Sequence, residues 1–295
     1  MADKGMWTIQ RIILWTTEYF KRHGIEEARL DAELLLGYVL GKPRIYLYTN
    51  FDQMLNPDEL ARYRTLIQSR TAGYCTAVLV GEKEFMGLPF RVNEHVLVPR
   101  PDTEAWLEKI IQEYRHLPDI SLLDLGTGSG ALAVSFLYYC REARAEAVDI
   151  SEEALAVARA NAERAGVADR LTFRQGDFLH AVAEEERFDV IVSNPPYIPS
   201  GDIAGLAPEV RREPRIALDG GDDGLRFYRA LGEGAARHLK PGGLLAAEVG
   251  IGQAEEVGRL LAAGGFTDIR HISDYGGVDR AVCARNPGDV QKSIT

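Results

Sequence analysis

The sequence predicts an α/β fold: a mostly parallel sheet that ends in an antiparallel hairpin, with a small helical bundle in front of it. Three observations carry this. From Ser121 onward, apolar β-branched runs alternate with helix-period stretches, the order of βαβ units with right-handed crossovers. Residues 7 to about 72 show helical periodicity alone. The last two strand-like runs are joined through Asp274-Tyr275-Gly276-Gly277, a hairpin sequence. A length of 295 residues fits about two domains.

Within the leading bundle, Trp7 to Arg22 carries Ile9, Ile12, Ile13, Tyr19 and Phe20 as a helical stripe that Gly24 can close. Arg29 to Leu40 places Leu30, Leu34, Leu35 and Val39 on one face, and Gly41 and Pro43 stop it. Asn56-Pro57-Asp58-Glu59 is a helix start with Asn as cap, Pro first and Glu third. Such a cap contributes about 1 kcal/mol. The bundle carries no chemical motif, so it reads either as scaffold or as a docking surface for a macromolecular substrate. From Thr76 to Val98 the period becomes strand-like: Ala77 to Val80 is one run, and Phe85 to Val92 holds a turn at Gly87-Leu88-Pro89. This predicts a β-hairpin linker over 76–98. The prolines of Val98-Pro99-Arg100-Pro101 force an extended path into a helix starting near Asp102 or Thr103. That stretch is either a plain connector or a means of facing Arg100 and the helix start toward the site.

Strands follow at Ser121–Leu125, Ala145–Asp149, Leu171–Gln175, Val190–Ser193 and Leu244–Val249, with Glu152 to Ala165 as a helix closed by Gly166. The terminal hairpin pairs Thr267–Ser273 with Val278–Ala284, and Pro287 to Thr295 read as a frayed tail.

Composition is that of an ordinary globular chain, with 46% hydrophobic and 26% charged residues. A net charge of -10 disfavours a protein that holds duplex nucleic acid by neutralising phosphates. The polar start Met1-Ala2-Asp3-Lys4-Gly5 is no secretory signal, and no apolar run approaches the ~20 residues that span a bilayer. Cys75, Cys140 and Cys283 are expected as reduced thiols in a cytoplasmic protein, and the six histidines show no metal-ligand spacing.

The chemistry is expected at the carboxyl ends of the strands, where open α/β sheets bind ligands. Asp124-Leu125-Gly126-Thr127-Gly128-Ser129-Gly130 puts a Gly-rich turn between the first sheet strand and a helix, so a ligand can approach the backbone. Asp149 ends the second strand, where its carboxylate can accept both ribose hydroxyls. Gly176-Asp177-Phe178 follows the third; Asp177 can accept from an adenine amino group while Phe178 packs on the ring. Either Asp alternatively caps the next helix. The spacing is G-x-G-x-G rather than the G-x-G-x-x-G of dinucleotide sites. Groups for an amino acid, a ribose and an adenine suit S-adenosylmethionine, whose cationic sulfonium gains ~0.5–2 kcal/mol beside an aromatic face.

The fourth strand, Val190–Ser193, ends in Asn194-Pro195-Pro196-Tyr197. Two prolines cannot continue a strand, so the chain leaves the sheet at the ligand edge. A planar –NH₂ is a poor nucleophile. Two acceptors on its N–H groups orient it: the Asn194 side-chain carbonyl and the Pro195 backbone carbonyl, with Tyr197 as a flat stacking face. Catalysis there is alignment and desolvation, with effective molarities of roughly 10⁵ M or more available.

The glycine loop with Asn194 to Tyr197 resembles class I, Rossmann-like methyltransferases acting on exocyclic or amide nitrogen. Val98 to Glu104, Glu209-Val210-Arg211-Arg212-Glu213-Pro214-Arg215 through Gly221, Asp274-Tyr275-Gly276 and the Arg29 to Leu36 helix narrow the resemblance to the PrmC/HemK family, protein-(glutamine-N5) methyltransferases of peptide chain release factors. One departure is Cys75 and Val78, where the family usually has Pro and Tyr. The resemblance implies a seven-stranded sheet and S-adenosyl-L-methionine held by Gly126, Thr127, Gly128, Ser129, Gly130, Asp149, Asp177, Phe178 and Asn194. It implies a release-factor glutamine gripped by Asn194, Pro195, Pro196 and Tyr197, of which Asn194, Pro195 and Tyr197 act in catalysis. No metal, membrane or direct nucleic-acid partner is expected. The expected division is a substrate-docking helical domain over 1–75, the linker over 76–98, the methyltransferase domain over 99–287 and a tail over 288–295. The stretch Pro208 to Gly224 is expected to close over the acceptor. The alternatives are a ribosomal-protein glutamine methyltransferase and an adenine-N6 nucleic-acid methyltransferase.

Overall fold

A computed structural model describes residues 7–288, so the expectations for Met1–Gly5 and for most of the tail lie outside the described residues. The chain forms two compact units: the residues up to Glu82 together with Ala207–Arg212, and Lys83–Leu206 with Glu213 onward.

The first unit is helical: α1 (Ile9–Arg22), α2 (Ala28–Leu40), α3 (Arg44–Thr49), α4 (Pro57–Thr71) and α5 (Thr76–Val80). In α1 the buried positions Ile9, Ile12, Ile13, Thr16, Thr17 and Phe20 follow the helical repeat. The face of α2 differs from the expected one. Ala28, Ala32, Leu35, Leu36 and Val39 are buried while Leu34 is exposed, because small alanines let the neighbouring helices approach along that line. Asn56 and Glu59 form a reciprocal capping box at α4, as the sequence predicts. Ala77–Val80 is helix, not strand. The αL conformation of Gly81, whose N–H bonds the Ala77 carbonyl, closes one helical turn, and Leu79 and Val80 pack on the bundle core. Tertiary packing overrides the β-branched composition there. The buried guanidinium of Arg70 bonds the buried Asp31 carboxylate at 2.7 Å and Glu209 at 2.9 Å. Arg212 bonds the Ala72 carbonyl and stacks on Tyr74. These contacts explain why Ala207–Arg212 belongs to the helical unit.

A hairpin follows, β1 (Glu82–Phe85) and β2 (Leu88–Arg91), all of it but Glu82 in the second unit. Its turn is Met86-Gly87, both at positive φ, rather than Gly87-Leu88-Pro89; Leu88 and Phe90 point inward and Pro89 outward within β2. Then come α6 (Pro101–Tyr114), β3 (Ser121–Leu125), α7 (Ala131–Tyr139), β4 (Arg144–Asp149), α8 (Glu152–Ala165), β5 (Leu171–Gln175), β6 (Phe188–Ser193), α9 (Arg226–Gly234), β7 (Leu239–Glu248), α10 (Ala254–Ala263), β8 (Thr267–Ser273) and β9 (Asp279–Arg285). β7 starts five residues before the expected Leu244, and its pairing with β6 is interrupted between Phe188 and Val190.

The seven strands lie in the order β5-β4-β3-β6-β7-β9-β8. β3 to β7 are parallel and β9 runs antiparallel between β7 and β8. Alternate residues feed two cores. Leu122, Val190, Val192, Leu244 and Ala246 join Trp106, Leu107 and Phe136 of α6 and α7, with Phe85 and Phe90 of the hairpin. Leu123, Leu125, Ile191, Leu245 and Ala247 join Tyr228 and Leu231 of α9 and Val257 and Leu261 of α10. Burial on both faces is why these strands read as continuous apolar runs.

Replacing Arg70 by Ala strands the Asp31 carboxylate inside the helical unit. Chemical denaturation should show a loss of about 3–5 kcal/mol; a loss under about 1 kcal/mol contradicts this role for the pair.

Candidate active site

The strand order reverses at β3, which pairs with both β4 and β6. At the carboxyl edge of that point lies a cavity of about 360 Å³. Gly126, Thr127, Gly128 and Ser129 line it, with Asp149, Asp177, Phe178, Asn194 and Pro196. Gly130, Pro195 and Tyr197 are not among its lining residues.

The loop after β3 needs its glycines for two different reasons. Gly126 and Gly128 have φ of 73° and 56° and open space where a Cβ would stand, so they supply conformation and leave room. Gly130 has φ of 81°, and a Cβ there would stand 3.1 Å from the Ala158 Cβ, so it lets α7 and α8 approach. Asp124 is fully buried. One carboxylate oxygen accepts from the Thr127 hydroxyl at 2.7 Å and the Ala133 N–H, and the other has no protein partner. Burial pushes its pKa up to about 7, against the pull of Thr127 and Ala133.

Asp149 accepts from the Gly128 N–H at 2.8 Å and the Ser151 N–H at 3.0 Å. It therefore holds the glycine loop, while Ser151 caps α8 through its own hydroxyl. Burial raises the Asp149 pKa, and the N–H groups around it oppose the rise. Asp177 precedes a 3-10 turn at Phe178–Ala181 but makes no side-chain cap bond, which leaves its carboxylate to the cavity. Phe178 sits at φ 51°, a strained position for a bulky residue, with its ring edge-on to Phe227 at 5.2 Å. The partly exposed Ile150 adds a second apolar wall.

Asn194 lines the cavity beside β7. Ser193 pairs with Ala247, so Asn194 and Glu248 are the next residues of adjacent parallel strands. Glu248 is 3% exposed; it accepts from the Thr103 hydroxyl at 2.5 Å and the Trp106 indole N–H at 2.9 Å, and it bonds the Asn194 side chain. Burial raises its pKa and those three partners oppose the rise. Pro195 is buried. The Tyr197 ring packs on the α9–α10 core, its carbonyl accepts from Gln253, and burial raises the pKa of its phenol. Behind the tetrapeptide, Gly220 N–H bonds the Ile198 carbonyl at 2.8 Å. A Cβ on Gly224 would stand 2.4 Å from the Tyr197 carbonyl oxygen, so only glycine permits that approach.

The remaining motifs turn out to brace this edge. Arg100 bonds the buried Glu213 at 2.7 Å and is not among the lining residues, whereas Pro214, Ile216 and Ala217 are. Arg280 bridges Asp102 at 2.9 Å and Asp274 at 2.8 Å. Glu104 accepts from the Met86 N–H in the hairpin turn. Of the stretch from Pro208 to Gly224, the part up to Arg212 belongs to the helical unit, and Pro214, Ile216 and Ala217 form cavity wall.

Sequence reasoning missed Glu248, Thr103, Ile150 and Phe227. A lone carboxylate in Leu244-Leu245-Ala246-Ala247-Glu248 was the available signal for Glu248. Among the described residues no cluster of His, Cys, Asp and Glu is arranged to hold a metal, and no helix is long and apolar enough to cross a membrane.

Residues 11–81 match the family described as PrmC N-terminal domain, and residues 103–207 match the methyltransferase small domain. The chain is 44% identical to a release factor glutamine methyltransferase of Geobacter sulfurreducens, over 97% of this chain and 99% of that one. The chain belongs to the release factor glutamine methyltransferase family. A second member, from Moorella thermoacetica, is 44% identical over 88% of this chain and 92% of its own. Two solved structures share the fold of this family member. A methyltransferase from Pyrococcus furiosus has a TM-score of 0.50 at 21% identity, covering 68% of this chain and 89% of its own. The hMettl16 catalytic domain, solved in complex with a 3′UTR hairpin, has a TM-score of 0.57 at 15% identity, covering 86% and 92%.

The buried Asp124 gives a pH signature. Its folded pKa lies above its unfolded value, so its stabilising contribution is present at low pH and is lost as pH rises toward about 7. Relative to wild type, ligand-free Asp124→Asn should gain on the order of 2 kcal/mol in stability between pH 5 and 8. Parallel pH dependences of the two melting curves contradict the shift.

Proposed function

We propose that this chain transfers the methyl group of S-adenosyl-L-methionine to the side-chain amide nitrogen of the glutamine in the Gly-Gly-Gln loop of a peptide chain release factor. The observation that carries the reading is the Asn194 side chain, which lines the same cavity as the glycine loop, Asp149, Asp177 and Phe178. The cavity fits the donor. It offers an open backbone cradle at Gly126 and Gly128, a free carboxylate at Asp177, and apolar walls at Ile150 and Phe178. When bound, the sulfonium supplies an electrophilic methyl.

Asp149 would accept from the ribose hydroxyls with the lone pairs that Gly128 and Ser151 leave open. Asp177 would accept from the adenine amino group, and Phe178 would cover the ring. Asn194 accepts one substrate N–H through its side-chain oxygen and Pro195 the other through its backbone carbonyl, which turns the nitrogen lone pair toward the methyl. With the donor bound there, the methyl would pass from sulfur to that nitrogen, which would then give up one proton to solvent. Tyr197, uncharged and held by Gln253, keeps the tetrapeptide in place and offers its face to the amide. The helical unit, which runs to Glu82 rather than ending at 75, docks the protein substrate, and the second unit, which takes in the hairpin, catalyses. The net charge of -10 favours a protein over a nucleic-acid acceptor, and three cysteines without a disulfide suit a cytoplasmic enzyme.

Mass spectrometry of a release factor after reaction should find one added methyl, on the Gly-Gly-Gln glutamine. Label found instead on a ribosomal protein or on oligonucleotide adenine rejects the acceptor. Asn194→Ala removes one of two acceptors and should lower kcat about 100-fold or more, with little change in donor affinity. Wild-type turnover in that variant rejects the role of Asn194.

A further inference from the structure

We propose that Glu248 is a positioning residue: it fixes which end of the Asn194 amide faces the acceptor, so that oxygen rather than –NH₂ is presented to the substrate nitrogen. The inference rests on the methyl-transfer reading above and deepens it. An asparagine amide is nearly the same shape at both ends, so packing alone does not choose between its oxygen and its nitrogen. Yet the two choices are opposite chemically. An amino group aimed at the substrate –NH₂ can accept nothing from it.

The choice is made by the neighbour on β7. Parallel register places Asn194 and Glu248 side by side, one residue past the Ser193–Ala247 pair. Asn194 lines the cavity; Glu248 is buried and is not among the lining residues. The carboxylate is surrounded by donors. Trp106, itself fully buried, has an indole N–H that can only donate, and the Thr103 hydroxyl donates to the same carboxylate oxygen. Thr103 and Trp106 both donate to this carboxyl, and the hydrogen bond of the Asn194 side chain likewise favours its charged form; that bond therefore comes from the –NH₂, and the amide oxygen is left for the substrate. The Tyr228 hydroxyl bonds the Glu248 backbone carbonyl at 2.8 Å, which holds this end of β7. A buried carboxyl group costs stability that an apolar side chain of similar size would avoid.

The test inverts the polarity without changing the shape. In Glu248→Gln the Thr103 hydroxyl and the Trp106 N–H still need an acceptor and take the Gln oxygen. The Gln –NH₂ then faces Asn194 and turns its amide around. Expected is a fall in kcat of about 100-fold, with donor affinity and melting temperature near wild type. Asn194→Asp alone sets two carboxylates against each other and should also be poor. The double variant Glu248→Gln/Asn194→Asp restores acceptors on both sides of position 194 and should exceed both single variants by about tenfold, a gain that simple loss of packing cannot produce. Independently of turnover, the Asn194 side-chain N–H resonances, assigned by their loss in Asn194→Asp, should be slow to exchange in wild type and fast in Glu248→Gln. Wild-type kcat in Glu248→Gln, a double variant no better than the worse single, or equal exchange in both proteins overturns the positioning role. A wild-type enzyme that leaves release factor unmethylated, with the exchange difference intact, instead removes the functional reading and leaves the Asn194–Glu248 geometry standing.

Discussion

The parallel pairing of β3 with both β4 and β6 is the constraint on which the site depends. Its register sets Leu125 level with Val148 on one side and with Ser193 on the other, and Asp149 level with Gln175. The glycine loop, Asp149, Asp177 and Asn194 therefore leave the sheet within about two residues of one line. Because side chains alternate, a slip of one residue in any of these pairs exchanges core and opposite-face residues such as Val192 and Ile191. Two cores, one on each face, exclude that slip. The geometry of the site is thus a by-product of how tightly the sheet is specified.

Against that apolar frame stand two buried carboxylates, Asp124 at the end of β3 and Glu248 at the end of β7, both pushed toward the neutral form by burial. Each is held by donors from an adjoining helix or loop: Thr127 and Ala133 for the first, Thr103 and Trp106 for the second. Desolvation costs stability at both places. The two stand on the strands that flank β6, whose end carries Asn194. Strain at Phe178 belongs to the same pattern of cost concentrated at a functional edge.

Much of this was legible in the sequence because the informative residues are neighbours along the chain. Gly126 to Gly130 follow their strand directly, Asp149 ends one, and Asn194 to Tyr197 interrupt one. Glu248 was hidden because its partners Thr103 and Trp106 lie 145 and 142 residues away, across α6 and β7. The bracing role of Arg100, Asp102 and Glu104 was hidden for the same reason: their partners Glu213, Arg280 and Met86 come from three other parts of the chain. Ala77–Val80 misled in the other direction. Its β-branched composition is strand-like, but it forms one turn of helix closed by Gly81, with Leu79 and Val80 packed on the bundle core. The exposed Leu34 shows that an apolar period alone does not fix which face of a helix is inside when alanines supply the closest approach.

In the proposed mechanism a carboxamide is held by Asn194 and Pro195 beside the donor. A crystal structure of the enzyme with S-adenosylhomocysteine and a Gly-Gly-Gln peptide tests this. The nucleoside should lie between Asp149 and Phe178, and the glutamine nitrogen within hydrogen-bond distance of both the Asn194 side-chain oxygen and the Pro195 carbonyl, with the sulfur in line. A glutamine side chain seated away from Asn194, or a nucleoside bound outside this cavity, contradicts it.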